Sequence, residues 1–484
     1  MKKGWHFGYF LIIMLAWLPY WWSFYPIIIS YDGAAQLANF FGLTYPNNHQ
    51  PYTAAFLMGL LVKFFMKLTH ESTLAFALYA ICIASVSAFV LSRLAFKLGS
   101  SFGKKIEWFA VGLFALFPLF PFYAISYDKT SPFLIGTAML LSALISIAEE
   151  KKINNHLLEL FIGSILISAF RTDGYYVVVI VLFVSSIVLK SKKILWGLLL
   201  LIFSMSIISK VIFPNMYVMP GLPGDPISVP LQQVAYTVKK NESHLEKNKL
   251  YVELNEIIPL KKITQAYNPN LADYVKFSYG NKYYGTNKSQ KKAFEDFLKE
   301  KKKYSTLKFA RLWLALGKRY PFDYVKAWWY QVNSYYMPTN YDEQQKSSGQ
   351  LFMNFNKNWV NNSVINTMKQ LNMPINYNNS NFAKKFRSKI TTPLKNDNFI
   401  YKFSLSAWLY DWVLILSAII AIIQIIKKKI SIVWLLPFLF PLGILGVAML
   451  TPVDGGMRYI LPIIMTLPMG VGFIFRKNKK TENG

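Results

Sequence analysis

A chain of 484 residues that is 54% hydrophobic and 17% aromatic, yet carries a formal net charge of +29, must keep its apolar and charged residues apart. A multi-span membrane protein does this by alternating apolar helices with charged loops, which excludes a string of ordinary soluble domains. The single cysteine, Cys82, lies inside an apolar run, so a disulfide framework and a Cys-based metal site are excluded as well.

Met1-Lys2-Lys3 leads directly into an apolar run over residues 7–29, with Trp17, Pro19, Trp21 and Trp22 and no signal-peptide cleavage pattern. It reads as a retained first span whose lysines hold its start in the cytoplasm, so that Asp32 emerges outside. The stretch SYDGAAQLANFFGLTYPNNHQPY, residues 30–52, then contains no Lys or Arg. Residues 53–69 are apolar, with Lys63 and Lys67 four residues apart. A full crossing there would place the later basic loops outside. An amphipathic helix in the outer interface, its lysines snorkelling, is expected instead.

Further spans are predicted at 72–96, 106–123, 132–148, 157–170, 175–189 and 194–213. Their cytoplasmic turns carry Arg93, Lys97, Lys104 and Lys105, then Lys151 and Lys152, then Lys190, Lys192 and Lys193. From residue 214 hydropathy collapses. The segment opens with PGLPGDP and holds 29 Lys+Arg against 13 Asp+Glu over residues 214–402. It is predicted to be a mostly helical extracytoplasmic domain, with helices near 289–313 and 322–336, since domains this long cross the membrane despite the positive-inside bias. Three last spans are placed at 405–426, 432–450 and 460–475, with Lys427, Lys428 and Lys429 and the terminal Arg476, Lys477, Lys479 and Lys480 inside.

The expected fold class is an all-α polytopic membrane protein of about ten transmembrane helices, with an interfacial helix in the first outer loop. It divides into a seven-span module (1–213), a basic, aromatic-rich extracytoplasmic domain (214–404) and a three-span module (405–484). Both termini are expected in the cytoplasm. No repeat of fixed period is present.

Candidate chemistry gathers in the short outer loops. Each carries an acid, and three of the four pair it with a Lys or Arg: the first has Asp32, with His49 downstream, and the others have Asp128 with Lys129, Arg171 with Asp173, and Asp454 with Arg458. Lys129, Arg171 and Arg458 are the only Lys or Arg in these loops, placed where the positive-inside rule disfavours them. Polar groups kept at the ends of spans tend to be functional. Cations beside acids suit a site that grips phosphate while a carboxylate handles a proton. Each residue also has a purely structural reading. Asp32 would serve as N-cap of a helix beginning at Gly33, and His49 would fix the turn before Pro51. Arg171 and Asp173 would form an interfacial ion pair, and Asp454 would belong to a Pro-x-Asp-Gly-Gly turn.

An apolar first span, an Asp in the first outer loop, the His49-Gln50-Pro51 turn into an interfacial helix and the Tyr-x-x-Asp-like second loop together resemble the GT-C superfamily of membrane glycosyltransferases. Protein O-mannosyltransferases and lipid A aminoarabinose transferases belong to it. The resemblance covers residues 1–189 well, the last spans loosely and the middle domain poorly. It implies that Asp32 is the general base on the acceptor or a metal ligand, that Asp128 is the acid beside it, and that His49 contacts the donor phosphate or supports the site. Relatives commonly follow the first acid with a second, whereas Gly33 stands here; a divalent metal therefore lacks its paired acidic motif. The function implied is transfer of a sugar from a polyprenyl-phosphate donor to a cell-surface glycan, lipid or protein at the bacterial plasma membrane, with membrane lipids and no nucleic acid as further partners. Lys129, Arg171 and Arg458 would stabilise the departing phosphate. Trp313, Trp328, Trp329, Tyr335 and Tyr336 would offer faces for sugar rings or, at helical spacing, form the domain core. A flippase of lipid-linked saccharides and a non-catalytic partner of envelope synthesis are the alternatives from other classes.

Overall fold

The computed structural model describes residues 5–222, 224–245, 248–279, 289–301, 306–338, 362–395, 406–451 and 456–475. It is an all-α membrane protein. Five helices are long and apolar enough to cross a bilayer by length and composition, six if a bent pair counts as one, and four shorter apolar helices accompany them.

Helix α1 (Trp5–Ser23) is followed by a two-residue strand β1 (Ile28–Ile29) and a short helix α2 (Tyr31–Phe40). Next come α3 (Tyr52–Thr69), α4 (Ser72–Phe102), α5 (Lys104–Leu116) and α6 (Leu119–Ala124). Strand β2 (Ser126–Tyr127) leads into α7 (Thr130–Glu150), α8 (Leu157–Phe170), α9 (Thr172–Val188) and α10 (Lys192–Ile207). Helix α7 is the axis of the bundle, with 94% of its most apolar window buried. It can pack so closely on α8 because Gly136 and Gly163 face one another. A Cβ on Gly136 would lie 2.8 Å from the Gly163 carbonyl oxygen, the close backbone approach that small residues permit between apolar helices. By contrast only 17% of the α10 window is buried, and Leu200 and Phe203 stand exposed. An apolar surface of that kind faces lipid.

The two ends of the bundle differ chemically. At one end Arg93 pairs with Glu159 at 2.8 Å, Lys97 with Glu150 at 3.2 Å and Lys104 with Glu107 at 2.9 Å. At the other, β1 runs parallel to β2, with Ile28 opposite Ser126 and Ile29 opposite Tyr127. This joins the first loop to the second. Both ends of α3 lie at this loop end. Its start is held where the Thr53 hydroxyl donates to the Ala169 carbonyl at the end of α8. Its far end leads to Ser72 and Thr73, which bond residues 374–376, while Asn378 N–H bonds the Tyr25 carbonyl just past α1. Helix α3 thus runs along the loop end of the bundle. Lys63 and Lys67 are exposed on it beside the exposed Phe64 and Leu68.

The middle segment forms a second, separate core. Helices α11 (Ser228–Lys240), α12 (Asp273–Ser278), α13 (Thr306–Arg319) and α14 (Pro321–Val332) bury Leu231, Val234, Val275, Leu312, Leu316 and Tyr324 among themselves. The helices predicted near 289–313 and 322–336 are in fact Gln290–Lys301, α13 and α14, because Pro321 restarts the chain at the first turn of α14. Residues Val332, Tyr335, Val364, Met368, Met373 and Ile390 belong instead to the core of the bundle. The predicted 214–404 domain therefore splits: its later part packs onto the apolar helices. The chain closes with α15 (Ala407–Ile426), α16 (Leu436–Ala448), α17 (Met457–Met465) and α18 (Leu467–Ile474), the last two meeting at a 46° bend.

Candidate functional site

The loop end gathers the acids and bases around Asp32. Ser30, rather than Asp32, is the N-cap of α2: the Gly33 N–H donates to its hydroxyl oxygen at 2.8 Å. Serine is a favoured cap, and its use here leaves the Asp32 carboxylate in the first turn, pointing away from the capping position. The same Ser30 hydroxyl donates to Asp128 Oδ2 at 2.6 Å, and the Thr130 N–H donates to Asp128 Oδ1 at 2.7 Å. Both Asp128 oxygens are thus engaged by protein donors, and the residue is only 3% exposed. Its geometry is that of a latch holding loop two against loop one. Gly33 explains why no second acid follows Asp32. A Cβ there would collide with the Tyr127 carbonyl oxygen, which only glycine lets approach this closely.

Asp32 meets two cations. Arg458 Nη1 donates to its Oδ2 at 3.1 Å and Lys129 Nζ lies 3.5 Å from the same oxygen. Burial alone would push this carboxyl up, but the charges of Lys129, Arg458 and His49 outweigh it and hold Asp32 below the usual carboxylate range. Arg458 also donates to the Tyr459 hydroxyl at 3.0 Å and lies 5.0 Å from that ring's centroid. Arg171 stands over the same ring at 4.9 Å and over Phe133 at 5.0 Å. Tyr459 is therefore shared by two guanidinium groups, an arrangement that cation–π attraction favours.

Arg171 itself is spoken for. It forks onto Asp173, with Nε to Oδ1 at 3.0 Å and Nη2 to Oδ2 at 2.5 Å. Arg171→Ala should cost about 3–5 kcal/mol, the range for breaking a buried ion pair by removing one partner. Thermal unfolding in detergent checks this. Unchanged unfolding would show the pair to be energetically idle.

His49 does not cap the turn before α3. Asn48 does, its Oδ1 accepting from the Tyr52 N–H at 2.9 Å. His49 reaches instead to the middle segment, where its Nδ1 lies 2.9 Å from Asp225 Oδ2. Asp225 also meets Lys276 at 3.3 Å, and Lys276 meets Asp273 at 2.9 Å. A strap positions this chain of charges: the Asn48 N–H donates to the Met219 carbonyl at 2.8 Å and the Met219 N–H to the Pro46 carbonyl at 2.7 Å. Burial opposes ionisation of Asp225, but His49 and Lys276 hold it below its ordinary value. Burial likewise opposes charge on Lys276, and Asp273 and Asp225 raise it. The Asp225 contribution is present above the ordinary carboxylate value and lost as pH falls through its depressed one; that of Lys276 is lost only on the alkaline side. Hydrogen exchange at Asn48 and Met219, corrected for intrinsic rate, should therefore stay slow at neutral pH and accelerate below about pH 4. Asp225→Asn should accelerate it already at neutrality, and equal protection in that variant would contradict the strap.

Asp454 lies outside the described residues. The segments flanking it are held by α14 and its continuation. The Gly456 N–H donates to the Tyr335 hydroxyl at 3.2 Å, and Trp328 and Gln331 donate to the Met449 and Thr451 carbonyls. The aromatic residues proposed as a sugar platform are largely committed: Trp313 Nε1 donates to Gln233, Trp328 to Met449, and Tyr335 is fully buried. Core and docking contacts account for Trp313, Trp328 and Tyr335, while Trp329 keeps an exposed face.

Sequence reasoning missed Ser30, Tyr459, Asp225 and Lys276. PGLPGDP was read only as a turn, although an acid inside it was a visible signal. The donor set does not suit a divalent cation, since Asp32 already meets two positive side chains and Asp128 accepts two hydrogen bonds. Among the described residues no group of three or more His, Cys, Asp or Glu side chains is arranged to hold a metal. No curated protein and no solved structure matches the chain. A family of unknown function, DUF6020, matches residues 42–484, most of the chain, and the protein belongs to that family.

Proposed function

We propose that the protein is a GT-C-type membrane glycosyltransferase that moves a sugar from a polyprenyl-phosphate donor to a cell-surface acceptor at the outer face of the bacterial plasma membrane, with inversion. In this reading the chain crosses the bilayer ten times with α3 lying along the outer face, both termini are cytoplasmic, and the loop end and the α11–α14 core are extracytoplasmic. The observation that carries it is the convergence of Asp32, Lys129 and Arg458 at one end of an apolar bundle. A carboxylate flanked by cations at that level suits a lipid phosphate whose tail runs down between helices.

A carboxylate held below its ordinary pKa is a weak base, and the ion pairs themselves supply the remedy. The donor's phosphate competes with Asp32 for Lys129 and Arg458. Once it takes them, Asp32 loses its counter-ions and its proton affinity returns. Asp32 then accepts the acceptor hydroxyl's proton, the acceptor oxygen bonds to the anomeric carbon, and the bond from that carbon to the phosphate oxygen breaks. The electron pair leaves with the phosphate, where the two cations stabilise it. Asp128, through Ser30, keeps α2 in place. His49, held by Asp225 at its Nδ1, ties the first loop to the middle segment beside the site. No metal step is required.

The test is glycan analysis of a deletion strain complemented with the wild type or with Asp32→Asn. A surface modification restored only by the wild type supports the reading; identical glycans in all strains reject it. A second reading, translocation of a lipid-linked saccharide, draws on Asp411 of α15, which is fully buried with neither carboxylate oxygen hydrogen-bonded. Ionisable groups within spans mark transport paths. Flipping of a labelled prenyl-phosphate sugar in proteoliposomes, abolished by Asp411→Asn and not by Asp32→Asn, would favour it.

A further inference from the structure

Helix α14 has two faces of opposite fate. Asp323, Tyr324, Ala327 and Gln331 are buried against the middle core and the bundle. On the opposite face Phe322, Val325 and Trp329 are 86%, 60% and 37% exposed. At 100° per residue these three fall within one stripe of about 60°, so the exposure is a surface and not scattered tips. Large apolar groups lined up in this way mark a contact.

The stripe leads somewhere specific. Trp329 stacks on Tyr336 with ring centroids 6.4 Å apart and planes 9° apart. Trp412, on α15, donates from Nε1 to the Tyr336 carbonyl at 2.9 Å. From Trp412 the exposed apolar row continues down α15 through Leu416, Ile419 and Ile423 at helical spacing. That row belongs to one of the helices long and apolar enough to cross a bilayer, so lipid is its solvent. The α14 stripe is the upper continuation of a lipid-facing surface, joined to it through an aromatic pair of the kind that settles at headgroup level. Exposed Lys318, Arg319 and Lys326 border it, and their charge complements lipid phosphates.

We propose that α14 lies in the membrane interface, with Phe322, Val325 and Trp329 seated in the leaflet and the flanking cations on anionic headgroups. A 12-residue helix is about 18 Å long. Standing along the membrane normal it would leave Phe322 in water; lying in the interface it buries the whole stripe. The seating has a consequence for the loop end. Helix α14 packs on α11 through Gln233, which donates to the Tyr324 carbonyl at 3.2 Å, and through Lys240, which pairs with Asp323 at 2.5 Å. Asp225 lies just before α11. An anchored α14 therefore sets the height at which Asp225 and Lys276 meet His49.

The inference is independent of the glycosyltransferase reading, and its test needs no substrate. With Cys82→Ser as background, single Val325→Cys, Ile419→Cys and Lys249→Cys variants of the full chain are labelled with bimane in nanodiscs containing phosphatidylglycerol. Brominated phosphatidylglycerol should quench the label at 325 as it does at 419, and aqueous iodide should quench only the label at 249, whose lysine side chain is 90% exposed. Iodide quenching at 325 equal to that at 249 overturns the proposal. So does protection from both quenchers, which would mean that protein rather than lipid covers the stripe. The Ile419→Cys variant is the lipid-facing reference, and the circular dichroism and gel-filtration profile of each variant's disc report whether that preparation has folded.

Discussion

Asp32→Asn should lower sugar transfer by about 10²–10⁴-fold, the usual worth of a positioned general base, and at the same time tighten binding of a prenyl phosphate. The two signs come from one geometry. Asp32 occupies Arg458 at 3.1 Å and Lys129 at 3.5 Å, and each such pair is worth about 5 kcal/mol of Coulomb attraction at an effective dielectric constant near 20. The phosphate must displace this attraction when it binds. An asparagine of the same shape removes the competitor and keeps the packing. Only part of the attraction appears as affinity, because the freed cations are re-solvated; a tenfold gain corresponds to about 1.4 kcal/mol. Farnesyl phosphate is a sufficient probe for the binding arm, by calorimetry on detergent-purified protein. Wild-type transfer in the variant would remove Asp32 from the chemistry. Lost transfer with unchanged farnesyl phosphate affinity would retain the base and reject the competition.

Arg458→Met should lower transfer by about 10²–10³-fold, the loss typical of deleting one preorganised group that stabilises developing charge, and should weaken farnesyl phosphate binding instead of strengthening it. Methionine approximates the length of the side chain and removes the charge. Arg458→Lys should recover part of both, because it restores the charge but not the guanidinium's combination of a bond to the Tyr459 hydroxyl with a place 5.0 Å from that ring's centroid. Thermal unfolding of each variant separates a folding defect from a chemical one. A Met variant that transfers sugar at the wild-type rate, whatever its stability, would show that Arg458 only neutralises Asp32.

The sequence by itself determined the class of the molecule. Apolar runs and basic turns are properties of short windows, so their hydropathy and charge are read without knowing what they touch. What the sequence could not reach was anything held by partners far along the chain. Arg458 and Asp32 are 426 residues apart. Ser30 looked like one serine among many until Asp128 and Gly33 were both found on its hydroxyl. The glycine after Asp32 registered as a missing acid; its reason is the Tyr127 carbonyl lying against it. Asp225, hidden in a turn, gained meaning only when the strap carried it to His49. In each case the tertiary structure decided, because a side chain's charge state and hydrogen bonding depend on which distant groups packing brings within about 4 Å, and local composition carries no record of them.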